Sequence, residues 1–353
     1  MRYVVDRPRA EVVLGKVWER YLSKQKPYHN LDQILPQNHI PTTLPRGGEE
    51  EAWYWMVVCL WMRGGVGSTE SSKKLSWLYD WLHYEGAKRN PFDPGQAMLM
   101  EPDEIVELLR RAQLGMHQVA PDWIYNAQQI VYYWGGSVLN LFDLLYDYQT
   151  ACERTMQGDS SFAGFKYKMT SMILYFLIEA NLIEPFAYPP PVDFHLQRLA
   201  LATEMIRPVV DIPMPEIGRI SHAGAIVAAK SDRDYMEMEA LLRDLYQEYE
   251  ASHGIDPNRF ADALWVHSRE LCRYNPGNAT HQIGEEEARA TPLEPHLPDW
   301  SGNDQTKFEA SCFVCPVREH CTNNVPSGPR YRWGTLILTP RTEPAQEPMF
   351  FQL

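Results

Sequence analysis

The sequence predicts an all-α protein. Three observations carry that reading: apolar residues recur at three- and four-residue spacing wherever a pattern is legible, no run alternates convincingly as a strand, and Pro and Gly cut the chain into segments of helical length. With 353 residues, 44% of them hydrophobic and 22% charged, the chain has the composition of an ordinary globular protein and the length for one large domain or two lobes. The apolar stretches at 51–62 and 169–183 are too short to span a bilayer, and Glu179 interrupts the second. The opening MRYVVDRPRAEVV has no apolar signal segment. The expectation is therefore no membrane crossing and a reducing cytoplasm, where clustered cysteines serve as metal ligands more often than as disulfides.

Along the chain, WYWMVVCLWMRGG at 53–65 gives a first helix. In DEIVELLRRAQ, starting at Asp103, Ile105, Leu108, Leu109 and Ala112 share one face of a second. IYNAQQIVYYWGG at 124–136 supplies a third. SSFAGFKYKMTSMILYFL, 160–177, reads as a turn running into a helix, and the Pro-rich AYPPPVD at 187–193 reads as a rigid connector. Asp193, following the prolines, stands where a helix N-cap belongs. At Ser231 the run SDRD makes a capping box, and Met238, Leu241, Leu242, Leu245 and Tyr249 form the buried stripe of a long helix. Residues 273–311 and the tail beyond Cys321 are rich in Pro, Gly, Asn and acid and read as irregular. Trp53, Trp55, Trp61, Trp123 and Tyr125 fall at helical spacing, which suits core positions, with the wall of a pocket as the alternative.

The chemistry concentrates in SCFVCPVREHC at 311–321. Cys312, Cys315 and Cys321 read C-x2-C-x5-C, and Cys272 in HSRELCRYN offers a fourth thiol in a helical setting. A C-x2-C turn lets two sulphurs converge on one atom while other ligands arrive from flanking segments. The spacing alone leaves zinc and an iron-sulphur cluster both open, since His267, His281, His296 and His320 offer nitrogen ligands. Cys59 and Cys152 stand alone in apolar or helical surroundings and read as core. A formal charge of −13 argues against a generally basic nucleic-acid surface, although Arg318, Arg330 and Arg332 flank the cysteines and permit a local basic strip.

Three motifs in order resemble the helix-hairpin-helix, iron-sulphur DNA glycosylases similar to endonuclease III and the adenine glycosylases, over about residues 50 to 321. Phe162, Gly164, Lys168 and Thr170 match that family's hairpin pattern, with Lys166 in place of its second glycine. Val192, Asp193, His195 and Arg198 match its Val-Asp-x-His-x-x-Arg segment. The C-x2-C-x5-C ending matches its [4Fe-4S] loop, with 39 residues between Cys272 and Cys312 where the family has a short one. Arg63 stands where the family commonly carries a DNA-probing glutamine.

The resemblance implies a two-lobed fold with a substrate cleft between the lobes and a C-terminal cluster loop. Residues 1–49 would be an extension packing on the cluster lobe, 50–190 the hairpin lobe, 191–321 the lobe carrying the aspartate and cluster, and 322–353 a tail. It implies catalysis by Asp193, a Schiff-base role for Lys168 in lyase members, and DNA contacts from Gly164, Lys166, Arg63, His195, Arg198 and Arg318. It implies a [4Fe-4S] cluster on Cys272, Cys312, Cys315 and Cys321. The partner would be double-stranded DNA containing a modified base, bound by a monomer that rotates the base out of the duplex. Because related proteins act on hypermodified phage bases, the substrate class extends to a bulky base such as glucosylated hydroxymethylcytosine, excised in defence. The alternatives are a transferase or pyrophosphorylase-like enzyme elaborating thymine derivatives on the same scaffold, and a non-catalytic zinc-bound DNA module.

Overall fold

In the computed structural model the described residues are 2–62, 67–86, 88–115, 117–209, 232–271, 282–283, 310–321 and 339–340. Strand β1 (Arg2–Val5) leads into α1 (Arg7–Leu22), followed by α2 (Leu31–Ile34), α3 (Glu49–Trp61), α4 (Ser68–Glu85), α5 (Pro94–Ala97) and α6 (Pro102–Arg111). Next come α7 (Val119–Trp134), α8 (Val138–Phe142), α9 (Tyr148–Met156), α10 (Tyr167–Glu179) and α11 (Phe194–Ala202). Strand β2 (Ile206–Val209), α12 (Asp232–His253), α13 (Pro257–Leu271), and the two-residue strands β3 (Gln282–Ile283) and β4 (Thr339–Pro340) complete the order. The all-α expectation holds in its main part. It needs one correction, because β1 pairs antiparallel with β2, from Arg2 opposite Val209 to Val5 opposite Ile206. Each strand is four residues long, too short to show a two-residue period, and its partner lies some two hundred positions away in the sequence.

The chain divides into two compact units, one formed by residues 1–30 with those from Val192 onward, the other by Leu31–Pro191. The second unit is built on α3. Its first turn carries Glu49, Glu50 and Glu51, acids that suit a helix N-terminus, and every residue from Glu51 to Trp61 is buried. A helix with no polar face must be surrounded, and α4, α7, α8 and α10 pack around it. Trp53 and Trp123 both donate their indole N–H to the carbonyl of Pro91, at 3.1 and 3.0 Å, so two large rings share one acceptor. Trp55 stacks on Phe176 with centroids 4.4 Å apart and planes 8° from parallel. Trp53, Trp55, Trp61 and Trp123 are each no more than 1% exposed, which settles them as core and removes them as pocket walls, whereas Tyr125 is 39% exposed.

Residues 31–49 belong to this unit and not to the N-terminal extension expected from the sequence. The reason is local. The backbone N–H and hydroxyl groups of Thr42 and Thr43 all donate to the Asp80 carboxylate at 2.7 to 3.0 Å. Burial would push Asp80 up, but these four bonds outweigh it and hold the carboxyl below its ordinary value. Thr69 donates to the Ile34 carbonyl, and Gln37 bonds the Tyr175 hydroxyl.

In the first unit α1 begins at Asp6, whose side chain accepts from the Arg9 N–H, and buries Ala10, Val13, Leu14, Val17 and Tyr21. It packs on α12 and α13, and α11 packs on the same two helices. Of the stripe expected from Ser231 onward, Met238, Leu242, Leu245 and Tyr249 are buried and Leu241 is half-buried. Ser231 itself lies outside the described residues. Among the described residues no helix is long and apolar enough to cross a membrane.

Candidate functional site

The hairpin lies between α9 and α10. Phe165 N–H donates to the Phe162 carbonyl at 3.2 Å, closing a four-residue turn whose third position, Gly164, has φ +75°. That backbone region suits glycine and penalises residues with a Cβ. Phe162 and Phe165 are buried and meet edge to face, which anchors the turn from beneath. From the side Asn126 holds it twice, accepting from Ala163 N–H at 2.7 Å and donating to the Ala163 carbonyl at 3.2 Å. Below the turn the hydroxyls of Thr155 and Thr170 share a 2.7 Å bond between the two helices. Gly164 and Lys166 are exposed, with Lys166 in the N-cap position of α10.

Lys168, in the first turn of α10, is half-buried and its amine donates to the Met62 carbonyl, just past the C-terminal end of α3. A cation there meets the negative end of the helix. The nearby Cys59 thiol is fully buried, and burial, opposed in part by Lys168, pushes its pKa far up, so it stays protonated. Cys152 is likewise buried, as its setting in the sequence suggested.

Asp193 is 7% exposed and caps α11. Its Oδ1 accepts from His195 N–H at 2.8 Å and from Leu196 N–H at 3.1 Å. Both bonds fall on one oxygen, so the carboxylate is fixed in orientation while Oδ2 has no partner among the described residues. Tyr246, fully buried on α12, lies beside it. Burial first and the Asp193 charge second push the Tyr246 phenol up, so the ring stays neutral, and its hydroxyl reaches the Leu196 carbonyl at 3.4 Å. Tyr246 is not part of the stripe read from the sequence, and its hydroxyl gave no signal there. His195 is half-buried and contributes its backbone N–H to the cap. The side chain of Arg198, and Arg63 and Cys272 as a whole, lie outside what the structure describes.

The cysteine segment is a short helix at 310–314 followed by tight turns. Cys315 N–H donates to the Cys312 carbonyl at 3.2 Å, Arg318 N–H to Cys315 at 3.3 Å, and Cys321 N–H to Arg318 at 3.3 Å, which coils the three cysteines into one compact run. All three are half-buried. Helix α1 braces the run with cations: Arg20 donates to the Val314 carbonyl at 3.2 Å, and Arg9 meets His320 at 2.9 Å. Burial, then Lys16 and Arg9, outweigh Glu319 and hold His320 below its ordinary value. Arg318 lies over the exposed ring of Phe313 at 5.8 Å. On α13, His267 is fully buried with Nε2 3.7 Å from Cys315 Sγ, and burial, aided by Arg20, lowers its pKa to about 3. The sequence offered His267 only as one of four histidines. What marks it out is its place in the helix that ends one residue before Cys272.

By residue type alone the run has the donors of a thiolate-bound metal centre: three cysteines in ten residues, arginines and a lysine close by, and a buried imidazole in contact with one sulphur. Among the described residues no three His, Cys, Asp or Glu side chains form a metal-holding group. A surface pocket of about 410 Å³ lined by Met98, Met100, Pro121, Ile124, Tyr125 and Gln128 contains none of the candidate catalytic or cysteine residues. No protein-family model matches the chain, and a search of curated proteins returns none that matches it.

Proposed function

We propose that the protein is a DNA glycosylase that rotates a modified base out of the duplex and hydrolyses its N-glycosidic bond. The observation that carries the reading is the hairpin: a Gly164 turn anchored by two buried phenylalanines, set between α9 and α10, with exposed Gly164 and Lys166 at the start of α10. Such a turn offers backbone N–H groups and a helix N-terminus to a DNA phosphate, and Lys166 adds a cation. Arg318 is a second backbone contact in this reading, with Arg63, His195 and Arg198 as the remaining DNA-facing residues.

Asp193 supplies the chemistry. As the bond between C1′ and the base nitrogen breaks, the base leaves with the electron pair and positive charge grows on the deoxyribose. A carboxylate stabilises that charge and accepts the proton of the water that attacks C1′. Its pinned Oδ1 suits that task, because one oxygen sets the orientation while Oδ2 has no partner among the described residues. Lys168 has a positioning role here, since its amine is already engaged with the Met62 carbonyl at the end of α3. Cys272, Cys312, Cys315 and Cys321 would hold a [4Fe-4S] cluster whose contribution is structural, tying α13 to the cysteine run. The substrate class includes bulky hypermodified bases.

The test is mass spectrometry of what the protein liberates from duplexes carrying defined modified bases. Free base is expected, and Asp193→Asn should lower its release by roughly 10²- to 10⁴-fold while leaving the melting temperature nearly unchanged, because Asn caps a helix about as well as Asp. Full activity in that variant removes Asp193 from the mechanism. A group added to the base from a soluble co-substrate, with no base released, replaces the glycosylase reading with the transferase one.

A further inference from the structure

Helix α4 is packed on one side and carries an aromatic strip on the other. Its buried side includes Leu75, Leu78, Tyr79 and Leu82, so the helix is held without help from its outer face. That outer face carries Lys73, Trp77 and Trp81 at four-residue intervals, with Tyr84 two turns beyond Trp77. Trp77 is 48% exposed and Tyr84 75%, while Lys73 is exposed and Trp81 half-buried. The two indoles lie nearly parallel, 15° apart, with centroids separated by 6.1 Å. From α6, which packs against α4, the Arg111 guanidinium sits over the Trp81 ring at 5.3 Å and is itself paired with Glu107 at 3.6 Å. The strip thus runs Lys73, Trp77, Trp81, Arg111, two flat rings with a cation at each end.

The occupant follows from the chemistry of the strip. An apolar peptide or a second helix needs aliphatic neighbours beside the rings, and none of the residues that α4 leaves unburied is aliphatic. The nearby acids are already engaged: Asp80 by four bonds from Thr42 and Thr43, Glu70 by Lys74 at 3.7 Å and Glu107 by Arg111. Lys73 has no ion-pair partner among the described residues, which leaves a cation beside the rings on a chain of formal charge −13. Flat rings next to a cation complement a nucleotide, whose base stacks while its phosphate meets the charge. A paired base cannot use the strip, because its faces are covered inside the duplex. We propose that this face of α4 binds an unpaired stretch of DNA, with a base stacked on Trp77 and the adjoining phosphate on Lys73. The choice of DNA over RNA rests on the duplex reading of the preceding section, although the strip shares no residue with the hairpin or with Asp193. The substrate that engages both elements is a duplex with an unpaired flank.

The experiment titrates the full-length protein against labelled oligo(dT), following anisotropy and tryptophan emission. The parent should bind, and its emission should fall as bases cover the exposed indoles. Trp77→Ala should weaken binding about tenfold, and Trp77→Phe, which keeps a ring, should recover most of that loss. Lys73→Gln should flatten the plot of log Kd against log salt by about 0.7, the loss of one phosphate contact on a single strand. An abasic strand of equal length should bind far more weakly than oligo(dT). Equal binding of that abasic strand overturns the proposal, as does unchanged affinity in a folded Trp77→Ala variant. Tighter binding of oligo(U) overturns the assignment to DNA. Self-association in sedimentation that Trp77→Ala abolishes makes the strip a contact between two copies and overturns it as well. A blunt duplex should bind the parent and Trp77→Ala alike. Protein that holds oligo(dT) through Trp77 but retains no duplex defeats the glycosylase reading separately and leaves the strip standing.

Discussion

The two units are closed by different chemistry. In residues 31–191 the largest buried side chains are aromatic rings gathered around α3, and the buried carboxylate there, Glu51, accepts from the Gly47 N–H at 2.8 Å and pairs with Arg46 at 2.8 Å. The other unit buries Asp193, Glu239, Glu250, Asp262 and His267. Neither oxygen of Glu250 and neither end of the Gln197 amide finds a partner among the described residues. An aromatic core gains stability from area and packing, which hardly depend on pH. Buried ionisable groups make folding and protonation one equilibrium. The unit with the candidate aspartate and the cysteine run is therefore the one sensitive toward high pH, whereas the lowered Asp80 makes the aromatic unit lose stability toward acid.

The largest expected effect lies in the aromatic unit. Trp55→Ala removes a ring stacked on Phe176 and should cost about 3–5 kcal/mol. Urea or thermal unfolding followed by tryptophan fluorescence measures it, and a loss below about 1 kcal/mol would show that α3 is not the centre of that core.

Next comes the contrast in pH. Burial, then the Asp256 charge, pushes Glu250 up to about 9 from an ordinary 4.5. Between those values the folded chain holds a proton that the unfolded chain releases, so stability falls as pH rises, by up to ~1.4 kcal/mol per pH unit. Glu250→Gln stays neutral throughout. It should match the parent near pH 5 and exceed it increasingly toward pH 9, with Tm against pH as the measurement. Parallel Tm curves for the two proteins would remove Glu250 as the source of the slope.

Smaller effects sharpen the two candidate elements. Gly164→Ala forces a side chain into a positive-φ turn and should cost about 1–2 kcal/mol, with weaker DNA retention in filter binding if the turn holds a phosphate. Asp193→Ala deletes the α11 cap and should cost about 1 kcal/mol. The Asn replacement should restore that stability without restoring base release, which separates the capping role from the chemical one.

The helices were legible where burial follows a single period. The face through Ile105 and Leu109 and the stripe from Met238 to Tyr249 are such cases. The turn at Gly164 was legible too, because glycine is the cheapest residue for its backbone. Residues 31–49 were not, since the bonds from Thr42 and Thr43 to Asp80 join positions nearly forty apart and leave no local pattern. The β1–β2 pairing was hidden for the same reason. Asp193 could be read as a cap or as a catalyst, and the structure adds that its carboxylate caps through one oxygen alone. The partner of Cys315 was hidden among four histidines because helical spacing says which face a residue occupies and nothing about a loop fifty positions downstream.

One consequence follows from how the chain is threaded. Residues 31–191 form a continuous insert, whereas the first thirty residues complete their unit only with segments from Val192 onward, β1 waiting for β2. During synthesis the aromatic unit can close as soon as Pro191 clears the ribosome, while α1 must stay unclaimed until α11, α12 and α13 emerge. Cys312, Cys315 and Cys321 emerge later still, so the bonds from Arg20 and Arg9 that brace their run form only after α1 has long been exposed.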